Sequence, residues 1–300
     1  MWIKKGLIFK ITKKKEWMKT HTALPFADRI HDGLYRIYFS TRDSKNHAST
    51  GFIELDLNDN SKILKISKNP ILHNGKIGTF DENGVMSSCI VNFRNKKFLY
   101  YTGWSSSKNT PFNWSIGLAI SENDGKSFEK FSEGPIISRN PYDPIFVGSP
   151  TVIREGNVWK MWYISTKGWK KLRGIMIAPY FLKYAESKNG INWKLSEEIA
   201  VDLKPDEIGL GRAAVIKEKG KYKMWYSYAK KNYRIGYAES KNGRNWKRMD
   251  NLSGITNSDS GWDSISIEYP YIFENNGIKY MLYNGNNYGS TGFGYAIYSD

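Results

Sequence analysis

The chain has 300 residues, 45 Lys and Arg against 29 Asp and Glu, a net charge of +16, four His and one cysteine, Cys89. One cysteine excludes an intrachain disulfide, four scattered His exclude a zinc-type cluster, and no apolar run is long enough for a membrane span or a signal-peptide core. The positive balance draws the chain toward anions, yet the lysines are spread through nearly every turn and no Gly-rich phosphate loop leads into a helix, so specific nucleic-acid binding is not expected.

The first predicted element is a strand within Trp2-Ile-Lys-Lys-Gly-Leu-Ile-Phe-Lys-Ile11. Five similar units follow. The first pairs Ala23-Leu-Pro-Phe26 with Tyr35-Arg-Ile-Tyr-Phe39 across the turn His31-Asp-Gly33. The second pairs Ser88-Cys-Ile-Val91 with Phe98-Leu-Tyr-Tyr101, and Cys89 reads there as a small buried hydrophobe. The third pairs Ser149-Pro-Thr-Val-Ile153 with Trp159-Lys-Met-Trp-Tyr163, the fourth Ala213-Ala-Val-Ile216 with Tyr222-Lys-Met-Trp-Tyr226, and the fifth Tyr269-Pro-Tyr-Ile-Phe273 with Ile278-Lys-Tyr-Met-Leu-Tyr283. Short polar and Gly-rich segments between β-prone runs predict hairpins.

A third strand follows in most units, as in Leu182-Lys-Tyr-Ala-Glu-Ser187 and Ile235-Gly-Tyr-Ala-Glu-Ser240. Three copies run into a turn and an aromatic that starts a fourth strand: Asn123-Asp-Gly125 to Phe128, Asn189-Gly190 to Trp193 and Asn242-Gly243 to Trp246. Phe39, Tyr101, Tyr163, Tyr226 and Tyr283 recur at intervals of 62, 62, 63 and 57 residues. A fixed period over a whole chain marks a repeat architecture. The expectation is an all-β, five-bladed β-propeller with four-stranded antiparallel blades, one domain over residues 1–300. The fifth unit lacks a fourth strand of its own, and the N-terminal strand is expected to close that last blade.

In such a ring the openings of the first strands converge on one mouth of a central tunnel. The polar residues there are the site candidates. Asp81, Glu207 and Glu268 are the catalytic candidates, because two carboxylates across a pocket serve as acid and as base or nucleophile on a glycosidic bond. His21, Arg42, Asp43, Glu82, Ser149, Arg212, Asp263, Asn284 and Asn286 are the substrate-binding candidates. Arg212, the basic residue at a strand opening, is expected to meet an anionic group. Trp104, Trp114, Trp169, Tyr269 and Tyr288 are expected to form an aromatic rim that stacks on sugar faces.

The Pro-x-Val/Ile opening followed by Tyr-x-Met-Trp-Tyr, with Tyr-Ala-Glu-Ser-Lys-Asn-Gly-x-Asn-Trp at 184–193 and 237–246, resembles the five-bladed β-propeller glycosidase superfamily over essentially the whole chain. That superfamily includes arabinanases, xylosidases, invertases, levansucrases and mannoside phosphorylases. The resemblance implies a carbohydrate-active enzyme in a divergent form. The acid usual before the strand-opening proline is replaced: Leu24 precedes Pro25, Ser87 precedes Ser88 and Ser149 precedes Pro150. The resemblance also implies at most a structural calcium in the tunnel, and no obligatory cofactor is expected.

The leading expectation is therefore a cytoplasmic protein acting on a glycan, glycoside or anionic sugar derivative by hydrolysis, phosphorolysis or transfer. A non-catalytic glycan-binding propeller and a protein-interaction propeller are the alternatives.

Overall fold

A computed structural model describes residues 1–172 and 174–299. Its strands fall into five antiparallel sets that follow the sequence units. Unit one runs Thr20–His31, Leu34–Arg42, Ala48–Asp56 and Lys62–Ile66; unit two runs Gly84–Phe93, Lys96–Ser105, Asn113–Ser121 and Glu129–Lys130. A single parallel bridge, Ala48 to Gly84, joins these two sets into one sheet. Unit three comprises Val147–Glu155, Val158–Thr166, Tyr180–Ser187 and Trp193–Lys194, with a fifth short strand, Ile199–Val201, also paired to Tyr180–Ser187. Unit four comprises Gly209–Glu218, Lys221–Ala229, Tyr233–Ser240 and Lys247–Arg248.

Unit five has three strands of its own, Glu268–Asn275, Ile278–Asn284 and Phe293–Tyr298. Its fourth is Trp2–Phe9, antiparallel to Phe293–Tyr298. The expected pairing of the chain's two ends is thus present. The five first strands touch one another in cyclic order, the fifth returning to the first. A small hairpin, Lys170–Leu172 with Ile175–Ile177, interrupts unit three between its second and third strands. Among the described residues no helix is long and apolar enough to cross a membrane.

The repeated motifs have separate structural jobs, because neighbouring positions on a strand point to opposite faces. The aromatic one place before the repeat residue reaches the next unit. The Tyr38 hydroxyl donates to the Gly125 carbonyl at 2.9 Å, the Tyr100 hydroxyl to Gly190 at 2.8 Å and the Trp162 indole to Gly243 at 2.8 Å. Each accepting glycine closes a turn whose serine oxygen takes its backbone N–H, Ser187 for Gly190 and Ser240 for Gly243 at 2.9 Å each. Gly190 has φ +75°, and a Cβ there would come within 2.7 Å of the Tyr100 hydroxyl, so only glycine serves.

The repeat tyrosine itself points back into its own unit, to an aspartate. Tyr101 donates to Asp81 at 3.0 Å, Tyr163 to Asp143 at 3.0 Å and Tyr283 to Asp263 at 3.1 Å. Each aspartate also pairs with a lysine from its unit's third or fourth strand: Lys130 at 2.5 Å, Lys183 at 2.7 Å and Lys4 at 2.7 Å. Unit four makes the same tie differently, with the Tyr226 hydroxyl on Asp250 and Arg248 bridging Asp250 and Glu207. Unit one has Phe39 at this position, packed on Phe9 and Phe293 instead. Between units lie apolar clusters, such as Phe146, Trp162, Leu182, Met224 and Tyr226. Each fully buried large side chain contributes about 1.5–3 kcal/mol.

Candidate active site

The first strands do not open as regular ladders. Each pairs with its second strand through an irregular register near its start. In units one, three and five the residue before the opening proline takes a left-handed backbone: Leu24 at φ +55°, Ser149 at +47° and Tyr269 at +52°. Their N–H groups are held by side chains at the end of the preceding unit's second strand. Asn284 Oδ1 accepts from Leu24 at 3.0 Å, Thr102 Oγ1 from Ser149 at 2.7 Å and Ser227 Oγ from Tyr269 at 2.6 Å. Such strain costs about 1–3 kcal/mol per residue and persists only where surrounding structure imposes it. Here it turns strand openings into the floor of a concave mouth.

That mouth has two lobes, of about 310 and about 330 Å³, which share Phe112, Tyr180 and Tyr288. Volumes in this range suit a small ligand. The first lobe holds Glu268, Ser266, Tyr233 and Trp169; the second holds Arg42, Ser149, Trp104, Trp114 and Tyr269. All five aromatics expected at the rim line the mouth. Phe112 and Trp114 stack at 4.1 Å with Trp169 edge-on to Phe112 at 5.0 Å, making a broad apolar wall.

Glu268 is the only carboxylate lining either lobe among the described residues. Its Oε1 accepts from the Ser266 hydroxyl at 2.9 Å and the Tyr288 N–H at 3.1 Å, while its Oε2 is buried without a partner. Burial outweighs those two hydrogen bonds and pushes its pKa up to about 7. Asn286 fixes the approach to Glu268 by accepting the N–H groups of Ile265 and Ser266 at 2.7 and 3.0 Å. It is a loop clamp; Asn284 likewise gives its Oδ1 to Leu24, while its Nδ2 is buried without a partner.

Other candidates lie away from the mouth. Asp81 and Asp263 are the tyrosine–lysine ties described above. Glu207 forms a two-pronged pair with Arg248 at 2.7 and 2.8 Å. Glu82 caps its own loop by accepting the Gly78 N–H at 2.7 Å, and Asp43 accepts the N–H groups of Lys45 and His47 at 2.8 Å each. These carboxylates answer local backbone or cationic groups, so the expected three-acid constellation is not assembled. Arg212 is fully buried beneath the mouth. Its terminal nitrogens donate to the carbonyls of Leu24, Pro25, Ser88, Tyr269 and Pro270, from units one, two and five. The geometry makes it a tie across the hub rather than the anion contact expected of it.

His21 lies beside Arg42, with Nδ1 2.9 Å from the Thr20 hydroxyl. Burial first, then the Arg42 charge, pushes its pKa down to about 4. Folding therefore excludes a proton that the unfolded chain takes up below about 6.5, and the stability His21 contributes falls as pH drops from there toward 4. An NMR titration of its imidazole is expected to show no midpoint above about 5; a midpoint at the ordinary value would contradict this burial. His21 thus stays neutral at physiological pH.

Sequence reasoning missed Phe112, Tyr180, Tyr233 and Ser266. Tyr180 and Tyr233 open the third strands of units three and four, and their hydroxyls bond to each other. The aspartate ties did carry a signal: Asp81, Asp143 and Asp263 each stand 20 residues before their tyrosine. No cluster of three His, Cys, Asp or Glu suited to a metal occurs among the described residues.

The fold, with a family match over residues 30–209, places the chain among the propeller glycosidases, as a divergent member. A structure described as a glycoside hydrolase superposes with a TM-score of 0.76 at 17% identity, covering 98% of this chain and 90% of that one. A thermostable family-43 glycoside hydrolase gives 0.71 at 17%, covering 95% and 92%. A Bombyx mori GH32 beta-fructofuranosidase in complex with sucrose gives 0.62 at 15%, covering 93% and 61%. Residues 30–209 match the family described as glycosyl hydrolases family 32 N-terminal domain, and the chain belongs to that family. In sequence it is similar to the uncharacterized protein MT1551 of Mycobacterium tuberculosis (strain CDC 1551 / Oshkosh), 38% identical over 297 residues, 99% of this chain and 98% of the relative.

Proposed function

We propose that the five strand sets are the blades of a five-bladed propeller and that its mouth binds a glycoside, with Glu268 as the proton donor to the glycosidic oxygen. The observation that carries this is Glu268, a carboxyl that lines an aromatic-walled cleft and whose buried Oε2 has no partner. With a pKa near 7 the group holds a proton in much of the population at neutral pH and can release it, as a general acid must. The proton passes from Oε2 to the leaving oxygen as the carbon–oxygen bond breaks, and the second reactant forms the new bond at the anomeric carbon. No other carboxylate lines the mouth among the described residues, and two-carboxylate hydrolysis needs one. Transfer to an acceptor that brings its own nucleophile is therefore favoured.

In this reading the hub requires no calcium, because the Arg212 guanidinium already supplies positive charge to the converging carbonyls. A cytoplasmic location fits this reading. The missing second carboxylate also favours a binding-only propeller as the second reading. A panel of aryl glycosides and sugar phosphates, assayed for product and for binding, tests the two. Turnover of at least one member is expected; binding without turnover across the panel supports the second reading, and neither binding nor turnover rejects both.

A further inference from the structure

Among the described residues, the buried and half-buried arginines are matched, with one exception. Arg36 pairs with Glu54 at 3.0 Å, Arg248 with Glu207 and Asp250, and Arg212 with backbone carbonyls. Arg42 closes the second strand of unit one and faces the second lobe of the mouth. Its only side-chain hydrogen bond among the described residues is from Nη1 to the neutral Asn46 Oδ1 at 2.9 Å. No described carboxylate lies within ion-pair distance of it, although burial disfavours its charge. A partly desolvated guanidinium without a counter-ion is costly unless something brings one.

The groups around Arg42 are suited to complete such a site. Tyr269 and Tyr288 line the same lobe, and no described residue takes a hydrogen bond from either hydroxyl. Burial, then the neighbouring Glu268 charge, raises both phenols, so they stay protonated and available as donors. His21, beside Arg42, is neutral and adds no competing charge. The fork of a guanidinium with two hydroxyl donors matches the oxygens of a carboxylate or phosphate. Tyr288 lines both lobes, so a ligand held at Arg42 reaches toward Glu268.

We propose that Arg42, with Tyr269 and Tyr288, forms an oxyanion subsite of the mouth, and that the reaction there involves an acidic group. The group is either a carboxylate or phosphate on the substrate sugar, or a free phosphate taken as second reactant. This inference rests on the mouth being a sugar site.

Trp104 and Trp114 in the lobe give a fluorescence signal for titration. Glucose, glucuronate, glucose 6-phosphate and inorganic phosphate are titrated into the full chain, into Arg42→Gln and into Arg42→Lys. Acidic ligands are expected to bind the native chain about 10- to 100-fold tighter than glucose, with the advantage shrinking in salt. Arg42→Gln should erase the advantage while keeping the melting temperature, and Arg42→Lys should restore part of it. Tight acidic sugars with weak phosphate would place the anion on the sugar. Tight phosphate would make it a separate reactant. Equal binding of neutral and acidic ligands, or an advantage that survives Arg42→Gln, would overturn the subsite while leaving the sugar reading in place. Failure of every sugar to bind while phosphate still depends on Arg42 would reject the sugar reading and keep the subsite; binding of nothing would reject both.

Discussion

Glu268→Gln is expected to lose about 10²- to 10⁴-fold in turnover and, unusually for a buried substitution, to gain stability above neutral pH. Both effects follow from one carboxyl group. Its pKa rises from 4.5 in the unfolded chain to about 7 in the folded one. Between those values the native state holds a proton that the unfolded state has released, so stability falls as pH rises through that window. Above it the charged, buried carboxylate carries the whole penalty, about 3 kcal/mol by linkage. Glutamine keeps an oxygen for the Ser266 hydroxyl and the Tyr288 N–H but cannot ionise or donate an acidic proton. The native rate should fall on the alkaline side of about pH 7, and the variant should lack that limb. Denaturant midpoints at about pH 5 and pH 8 give the stability arm. Unchanged turnover, or a variant less stable than native at the higher pH, would remove Glu268 from the proton-donor role. A mouth that sacrifices stability for a poised acid is the usual sign of a functional site.

The second large effect is structural. Asp143 and Lys183 form a pair with side-chain exposures of 0% and 2% at 2.7 Å. The Tyr163 hydroxyl completes the aspartate, and the Tyr142 carbonyl accepts a second bond from the lysine at 3.0 Å. Removing one partner leaves the other charge buried, so Asp143→Ala and Lys183→Met should each cost about 3–5 kcal/mol in urea unfolding. The double variant Asp143→Leu with Lys183→Met should recover much of that loss, since no lone charge remains. Single losses below about 1 kcal/mol would show that the pair is not what locks unit three. The same reasoning moves Asp81 from chemistry to architecture. Asp81→Asn should lower stability, less steeply because Lys130 is partly exposed, and leave turnover near native.

Most of the fold was legible because a propeller repeats its solution. The period of Phe39, Tyr101, Tyr163, Tyr226 and Tyr283 marks the second strands, and Asn-Gly and Asp-Gly mark the turns. The β-prone run Trp2–Phe9 was visible in sequence, and it pairs with Phe293–Tyr298 of unit five. The site was less legible, for a physical reason. A carboxylate ahead of a strand opening has the same appearance in sequence whether it faces the hub or turns back to a lysine. Asp263 turns back to Lys4, 259 residues away, and nothing local announces that partner. Glu268 differs from Asp81 and Glu207 in having no cation within reach, a property of the folded surroundings alone. Of the two arginine candidates, Arg212 turned into the core while Arg42 stayed at the mouth. Both are strand-end cations in sequence, but carbonyls from three units surround Arg212, whereas Arg42 opens on the cleft.

The central claim is that one carboxylate, Glu268, meets the scissile bond in an aromatic cleft. A crystal structure of Glu268→Gln with a bound glycoside tests this most directly. The account predicts the glycosidic oxygen within about 3 Å of the amide at position 268, with a sugar face against the Phe112 and Trp114 rings. A sugar bound beside Asp81 or Glu207, or on the outer surface away from Tyr288, would contradict it.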